Sequence, residues 1–253
     1  MPIKIISQQE YDQKKLTGED DGVMAKSVFE LAHLDFLARV LYNGNSSLGG
    51  DQQSFLHGEL KALVSVLAGS ERLVIIHLGL QGTMMRYGFS FRAGTAGEDG
   101  LDYTEVGDPT HILEDSDFEP ITPLEWKPFH DAYREHIHLK RGDEAPVHIT
   151  DLDAKAVVLH WDKEIDRMFQ ETTKDIKDDF RIKLSSVSVH HMGADGGPAG
   201  YRHGVSFHCE RKLFLSGWTP MLTDDHDQVV IYHYKAADYG NLCPPRCRKY
   251  KRG

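Results

Sequence analysis

Leu184-Ser185-Ser186-Val187-Ser188-Val189, then Gly193-Ala194-Asp195-Gly196-Gly197-Pro198, then Tyr201 through Phe207 and His208-Cys209-Glu210: the reading of this stretch decides the fold. Residues 184–189 alternate as a half-buried strand does. The Gly- and Pro-rich cluster is turn chemistry. Residues 201–207 return as the second strand of a hairpin. From His208 to about Leu215 the pattern predicts a helix. Residues 229–234, Val-Val-Ile-Tyr-His-Tyr, form a further short apolar run and predict a strand. A short loop then leads to Cys243-Pro244-Pro245-Arg246-Cys247.

Upstream the texture is more helical. Val28, Leu31, Leu34, Phe36, Leu37, Val40 and Leu41 recur at helical spacing and predict a helix over 23–42, stopped by Asn43-Gly44-Asn45. A second helix is expected over 54–67. Residues 73–78 predict a buried strand. Residues 85–92 predict another, with Tyr87, Phe89 and Phe91 on one face. Residues 93–122, rich in Gly, Asp and Pro, read as a long acidic loop. Trp126, Phe129, Tyr133 and Ile137 mark one helix; Ile165, Met168, Phe169, Ile176 and Phe180 mark an amphipathic one. Residues 156–159 are too few to assign. The expected class is α/β or α+β. A mostly helical region, 1–180, carries a short strand pair and the acidic loop, and a compact αβ module follows over 181–253.

Composition narrows the function. The chain has 253 residues, 40% hydrophobic and 27% charged, as ordinary globular proteins have. A net charge of −10 argues against broad binding to polyanions. The charge is uneven: residues 98–119 carry nine acidic residues and no Lys or Arg. The last eight residues carry five basic ones. No run approaches the roughly 18 apolar residues of a membrane span. The N-terminus lacks the features of a signal peptide. Three cysteines do not make a disulfide framework. Together these predict a cytoplasmic protein in a reducing compartment, without a membrane partner.

The C-terminal residues carry a chemical pattern. His208-x-Glu210, an intervening strand, then the close pair Cys243 and Cys247 resembles the cytidine deaminase-like superfamily. That superfamily comprises zinc-dependent nucleobase and nucleic-acid deaminases, bacterial toxin-type enzymes included. The resemblance implies an αβ module with a mixed sheet, in which His-x-Glu and the Cys pair each open a helix. It implies zinc held by His208, Cys243 and Cys247 with an open position for water, and Glu210 as the general acid/base. The implied activity is hydrolytic deamination of a nucleobase, nucleoside or single-stranded nucleic acid. Trp218 and Tyr239, in connectors, are the candidates for stacking the base. Cys209 is expected to pack and not to ligate. Leu242 stands where the family has proline, and three residues separate the cysteines where two are usual. Self-association is a further expectation.

Other readings stay open. Zinc could be structural, with His203, His226 or His233 as a fourth ligand. The chain could be a non-catalytic module, zinc-stabilised or metal-free, presenting residues 98–119 to a basic partner. Leu215-Ser216-Gly217-Trp218-Thr219 with His233 resembles the toxin glutamine deamidases. Trp218 there occupies the place of the cysteine nucleophile, which implies an inactivated domain. A second His-x-Glu, His57-Gly58-Glu59, has no cysteine pair after it.

Overall fold

The structure, a computed structural model, describes residues 23–24, 26–69, 71–94, 107–150, 153–161, 165, 181–191, 200–215, 229–237 and 241–243. The chain is α+β. Among the described residues, three helices, α1 Lys26–Arg39, α2 His57–Ser65 and α3 Pro123–His136, accompany three sheets whose strands pair antiparallel. The mixed sheet implied by the resemblance is absent among the described strands.

The longest local unit is a hairpin of β4 (Glu71–Gln81) and β5 (Met84–Gly94), paired from Glu71↔Gly94 to Gln81↔Met84. Its two-residue turn begins at Gly82, φ +58°, where a side chain would be strained. Both strands run past the expected 73–78 and 85–92. The six-stranded sheet reads β14-β10-β4-β5-β6-β7, with β10 Ala156–His160, β14 Asn241–Cys243, β6 His111–Glu114 and β7 Asp117–Pro120. The five-stranded sheet reads β1-β13-β12-β11-β3, with β1 Val23–Met24, β3 Gln52–Leu56, β11 Arg181–His191, β12 Gly200–Leu215 and β13 Val229–Ala237. A small sheet joins β2 Val40–Tyr42, β8 Ile137–Leu139 and β9 Val147–His148.

Several expectations need correction. The helix predicted at 208–215 is the second half of β12, paired with β13 from His208↔Ala236 to Leu215↔Val229. Helical spacing there was deceptive because a full-length partner strand is available. The loop predicted over 93–122 contains the β6–β7 hairpin. Asp115 and Ser116, φ 48° and 81°, both take the left-handed conformation that a type I′ turn needs. Asp-Ser is a weaker signal than Asn-Gly, so the turn is hard to see in sequence. The first helix ends at Arg39 and the chain continues as β2. The second starts only at His57, because residues 52–56 pair with β11 as Leu56↔Arg181 through Gln52↔Ser185. Ten strands precede residue 180 among the described residues, so the described part of that region is not mostly helical. Strands from both sides of residue 180 share two sheets: β3 lies beside β11, and β14 beside β10. The amphipathic helix expected near 165–180 falls outside the described residues, except for buried Ile165.

The two larger sheets stack face to face. Phe55 of β3 meets Phe89 of β5, Phe118 of β7 and Phe207 of β12 edge-on, with centroids 6.4, 5.0 and 5.7 Å away. Val74, Ile76, Leu78, Ile182, Leu184 and Val205 fill the rest of this layer, all fully buried. Edge-to-face aromatic packing of this kind adds to area burial. Helix α3 is set by its own ends. Thr122 and Glu125 form a capping box, and Pro123 takes the first helical position. Its Trp126 packs over β4 and β5, where Gly79 and Gly88 leave room; a Cβ on Gly79 would come within 2.6 Å of the indole. No helix among the described residues is long and apolar enough to cross a membrane.

Candidate functional site

The residues singled out by the zinc pattern do not share one element. His208 and Glu210 lie two positions apart inside β12. His208 stands opposite Lys183 on one side and Ala236 on the other; Glu210 stands opposite Tyr234. Cys243 ends β14, opposite Ala156, in the other large sheet. Cys247, Trp218 and Tyr239 lie outside the described residues. The deaminase arrangement needs His-x-Glu at a helix start, where free N–H groups and the dipole favour anionic ligands and water. A position inside a strand, paired with β13 as both His208 and Glu210 are, offers neither. At His208 and Glu210 the backbone is therefore that of a strand and not the helix start that the resemblance implies. Among the described residues, no three His, Cys, Asp or Glu side chains gather as a metal-binding group.

His203 leaves the set of spare zinc ligands for a separate reason. It is 1% exposed, and both its ring nitrogens are engaged. Nδ1 lies 2.9 Å from the Tyr133 hydroxyl and Nε2 lies 2.7 Å from Ser186 Oγ. Ser186 Oγ is in turn 2.6 Å from the Tyr87 hydroxyl, which donates to the Asp51 carbonyl at 3.1 Å. The chain thus links α3, β12, β11, β5 and the segment before β3. Phe36 of α1 tilts against the His203 ring, centroids 4.9 Å apart.

One arrangement of protons gives every donor in this chain an acceptor. Tyr133 donates to Nδ1 of His203, Nε2–H donates to Ser186, Ser186 donates to Tyr87, and Tyr87 donates to Asp51. Buried donors require partners, and this assignment supplies them without any charge. Burial agrees, since desolvation pushes His203 down to about 3. The same burial raises the hydroxyls of Tyr87 and Tyr133, so both stay protonated. In this tautomer Ser186 accepts from His203. An activated serine nucleophile does the reverse, donating to the base. With Ser186 fully buried as well, the pair serves as a polar core. Satisfied buried networks of this sort rigidify a fold.

A second cross-strand pair sits beneath α3. His77 Nε2 is 2.7 Å from Ser90 Oγ, and desolvation again lowers His77 to about 3, with smaller contributions from His130 and Arg92. Beside β8, Arg141 bonds both carboxylate oxygens of Asp153 at 2.6 and 2.7 Å. Asp153 also accepts from the Thr150 backbone N–H at 2.8 Å. Both contacts come from Nη2, a charge-assisted pair in which Asp153 is buried and Arg141 is partly exposed.

The other His-x-Glu does open a helix. His57 is the first residue of α2, with Glu59 in its first turn. His57 is 8% exposed and stacks on Trp161, centroids 5.8 Å apart and planes within 17°. It is packed as a core residue. The aromatic residues near 201–207 are likewise accounted for: Phe207 is core, and the Tyr201 ring carries the Arg39 guanidinium 3.9 Å from its centroid.

The acidic segment is the described surface that stands out. Asp108, Glu114, Asp115, Asp117 and Glu119 are exposed on and around β6–β7. β7 ends the strand order of its sheet. Arg86 reaches Glu114 at 3.4 Å, and the pair is partly solvated. Sequence reasoning found this charge but missed the hairpin that displays it. It also missed the Tyr133–His203–Ser186–Tyr87 chain. The only signal was the presence of serines at Ser186 and Ser188, on the same side of β11 as Leu184. No family model, curated protein or solved structure matches the chain.

Proposed function

We propose that the chain is a non-catalytic interaction module that offers the acidic β6–β7 hairpin to a basic partner. The observation that carries this reading is the position of β7. It is the last strand of a six-stranded sheet, and no further described strand pairs with it. Its exposed Asp117 and Glu119 add to Glu114 and Asp115 at the turn. A sheet edge displaying one sign of charge supports docking of an extended basic segment, with charge setting rate and selectivity. The overall charge of −10 works in the same direction. The test is binding of a lysine-rich peptide to the wild-type chain and to a D117K/E119K variant. Binding that weakens with salt and is lost in the variant supports the reading. Equal binding by both proteins removes it.

Zinc-dependent deamination is the second reading, supported by the spacing of His208, Glu210, Cys243 and Cys247 in sequence. The strand at His208-Cys209-Glu210 counts against it. Metal content of the purified chain, beside a His208→Ala variant, separates the readings. About one zinc per chain, lost in the variant and accompanied by ammonia release from a base, would restore the deaminase. Zinc without that activity would mark a structural metal joining β12 and β14.

A further inference from the structure

The C-terminal end of α3 is closed by histidines from other elements. The Ile137 N–H bonds the Tyr133 carbonyl. The His136 carbonyl receives the Asn43 N–H at 2.7 Å and His138 Nδ1 at 3.2 Å. The Glu135 carbonyl is met by His148 Nε2 at 2.8 Å. The other nitrogen of that ring, Nδ1, lies 2.8 Å from the Ile149 carbonyl. Both partners are carbonyl oxygens, which only accept. Two hydrogen bonds therefore require an N–H on each nitrogen, and only the imidazolium has both. The last turn of a helix is also where a cation is favoured.

We propose that His148 is a proton-operated clip, fastening β9 to the end of α3 while its ring carries both protons. On losing one proton the ring keeps a single donor, and one carbonyl becomes a lone pair facing a lone pair. β9 then loses its side-chain tie to the helix or to its own backbone. The charged and titratable groups lie on the elements next to the ring. His138 of β8 stands directly opposite in register, with its ring edge-on at 5.1 Å. From α3 come Arg134, Glu135 and His136, and His136 is itself held by Asn43 Oδ1 at 3.1 Å. The connection between β8 and β9 carries Lys140, Arg141, Asp143 and Glu144, of which Arg141 is engaged by Asp153.

The experiment is amide hydrogen exchange of Ile149 and Lys140, whose N–H groups bond Ile137 and Arg39 carbonyls. It is read with ring ¹⁵N shifts of His148 across the range in which histidine side chains change charge, about pH 5 to 8. After correction for intrinsic exchange, loss of the ring proton is expected to raise opening at these amides roughly tenfold, the effect of one hydrogen bond. His148→Gln, with one amide group to donate, is expected to show the fast exchange at every pH. His138→Gln is expected to keep the wild-type pH dependence. Opening that does not follow the His148 ring shift overturns the proposal. So does a His148→Gln protein that keeps the pH dependence, which would assign it to His138 or His136.

Discussion

The chain contains His-x-Glu twice, and the two copies end in different structures. His57-Gly58-Glu59 opens α2, with His57 buried against Trp161. His208-Cys209-Glu210 lies in the middle of β12, paired with β13 throughout and with β11 at His208. The copy followed by a cysteine pair is thus the one without a helix, and the copy with a helix has no cysteine pair. Three residues do not choose their own conformation. At 52–56 the chain pairs with β11, the described pairing ends at Leu56↔Arg181, and the chain is helical from His57. At 208–215 a partner strand, β13, runs the whole length. Tertiary pairing overrides local preference in the second case.

The comparison is sharpest in acid, where histidines packed into the sandwich titrate against the fold. His77 and His203 are lowered from 6.5 to about 3. Between those values the unfolded chain binds protons that the folded chain does not. Stability is therefore full above about pH 6.5 and falls as the pH drops, by about 1.4 kcal/mol per pH unit for each histidine. Denaturant midpoints measured from neutral pH downward should show this slope; a flat profile to about pH 4 would mean the rings are not buried neutral.

Next in size is Trp161→Ala. The indole is 1% exposed, and its loss removes the surface on which the helix-borne His57 stacks. A loss of about 3–5 kcal/mol is expected, seen as a lower thermal midpoint. A near-neutral result would break the claim that the His57 copy is a packing element. Ser186→Ala should cost about 1–3 kcal/mol, because it strands the His203 Nε2–H and takes the donor from Tyr87. An unchanged midpoint would mean that another group satisfies His203.

The smallest effect is expected at Glu210. Glu210→Ala should leave the thermal midpoint within about 0.5 kcal/mol of wild type, and neither protein should release ammonia from nucleobases. Ammonia release by the wild type, lost in the variant, would reverse the comparison and make the strand-borne copy catalytic.

Much of the framework was legible from residues alone. The apolar run within β4, the alternation of β5 and β11, and the helical face of α3 marked by Trp126, Phe129 and Tyr133 are local signals, and each lies where its pattern indicates. The acidic surface was legible as charge. What tertiary structure alone decided is pairing. Whether 208–215 coils or extends depends on β13. Whether 52–56 joins a helix depends on β11, more than a hundred residues away. The Tyr133–His203–Ser186–Tyr87 chain was equally invisible, because its members come from four elements and only stacking of the sheets brings them within 3 Å of one another. Local preference is read along the chain. A hydrogen-bond partner supplied from elsewhere is not, and at these positions the partner contributes more free energy than the local preference does.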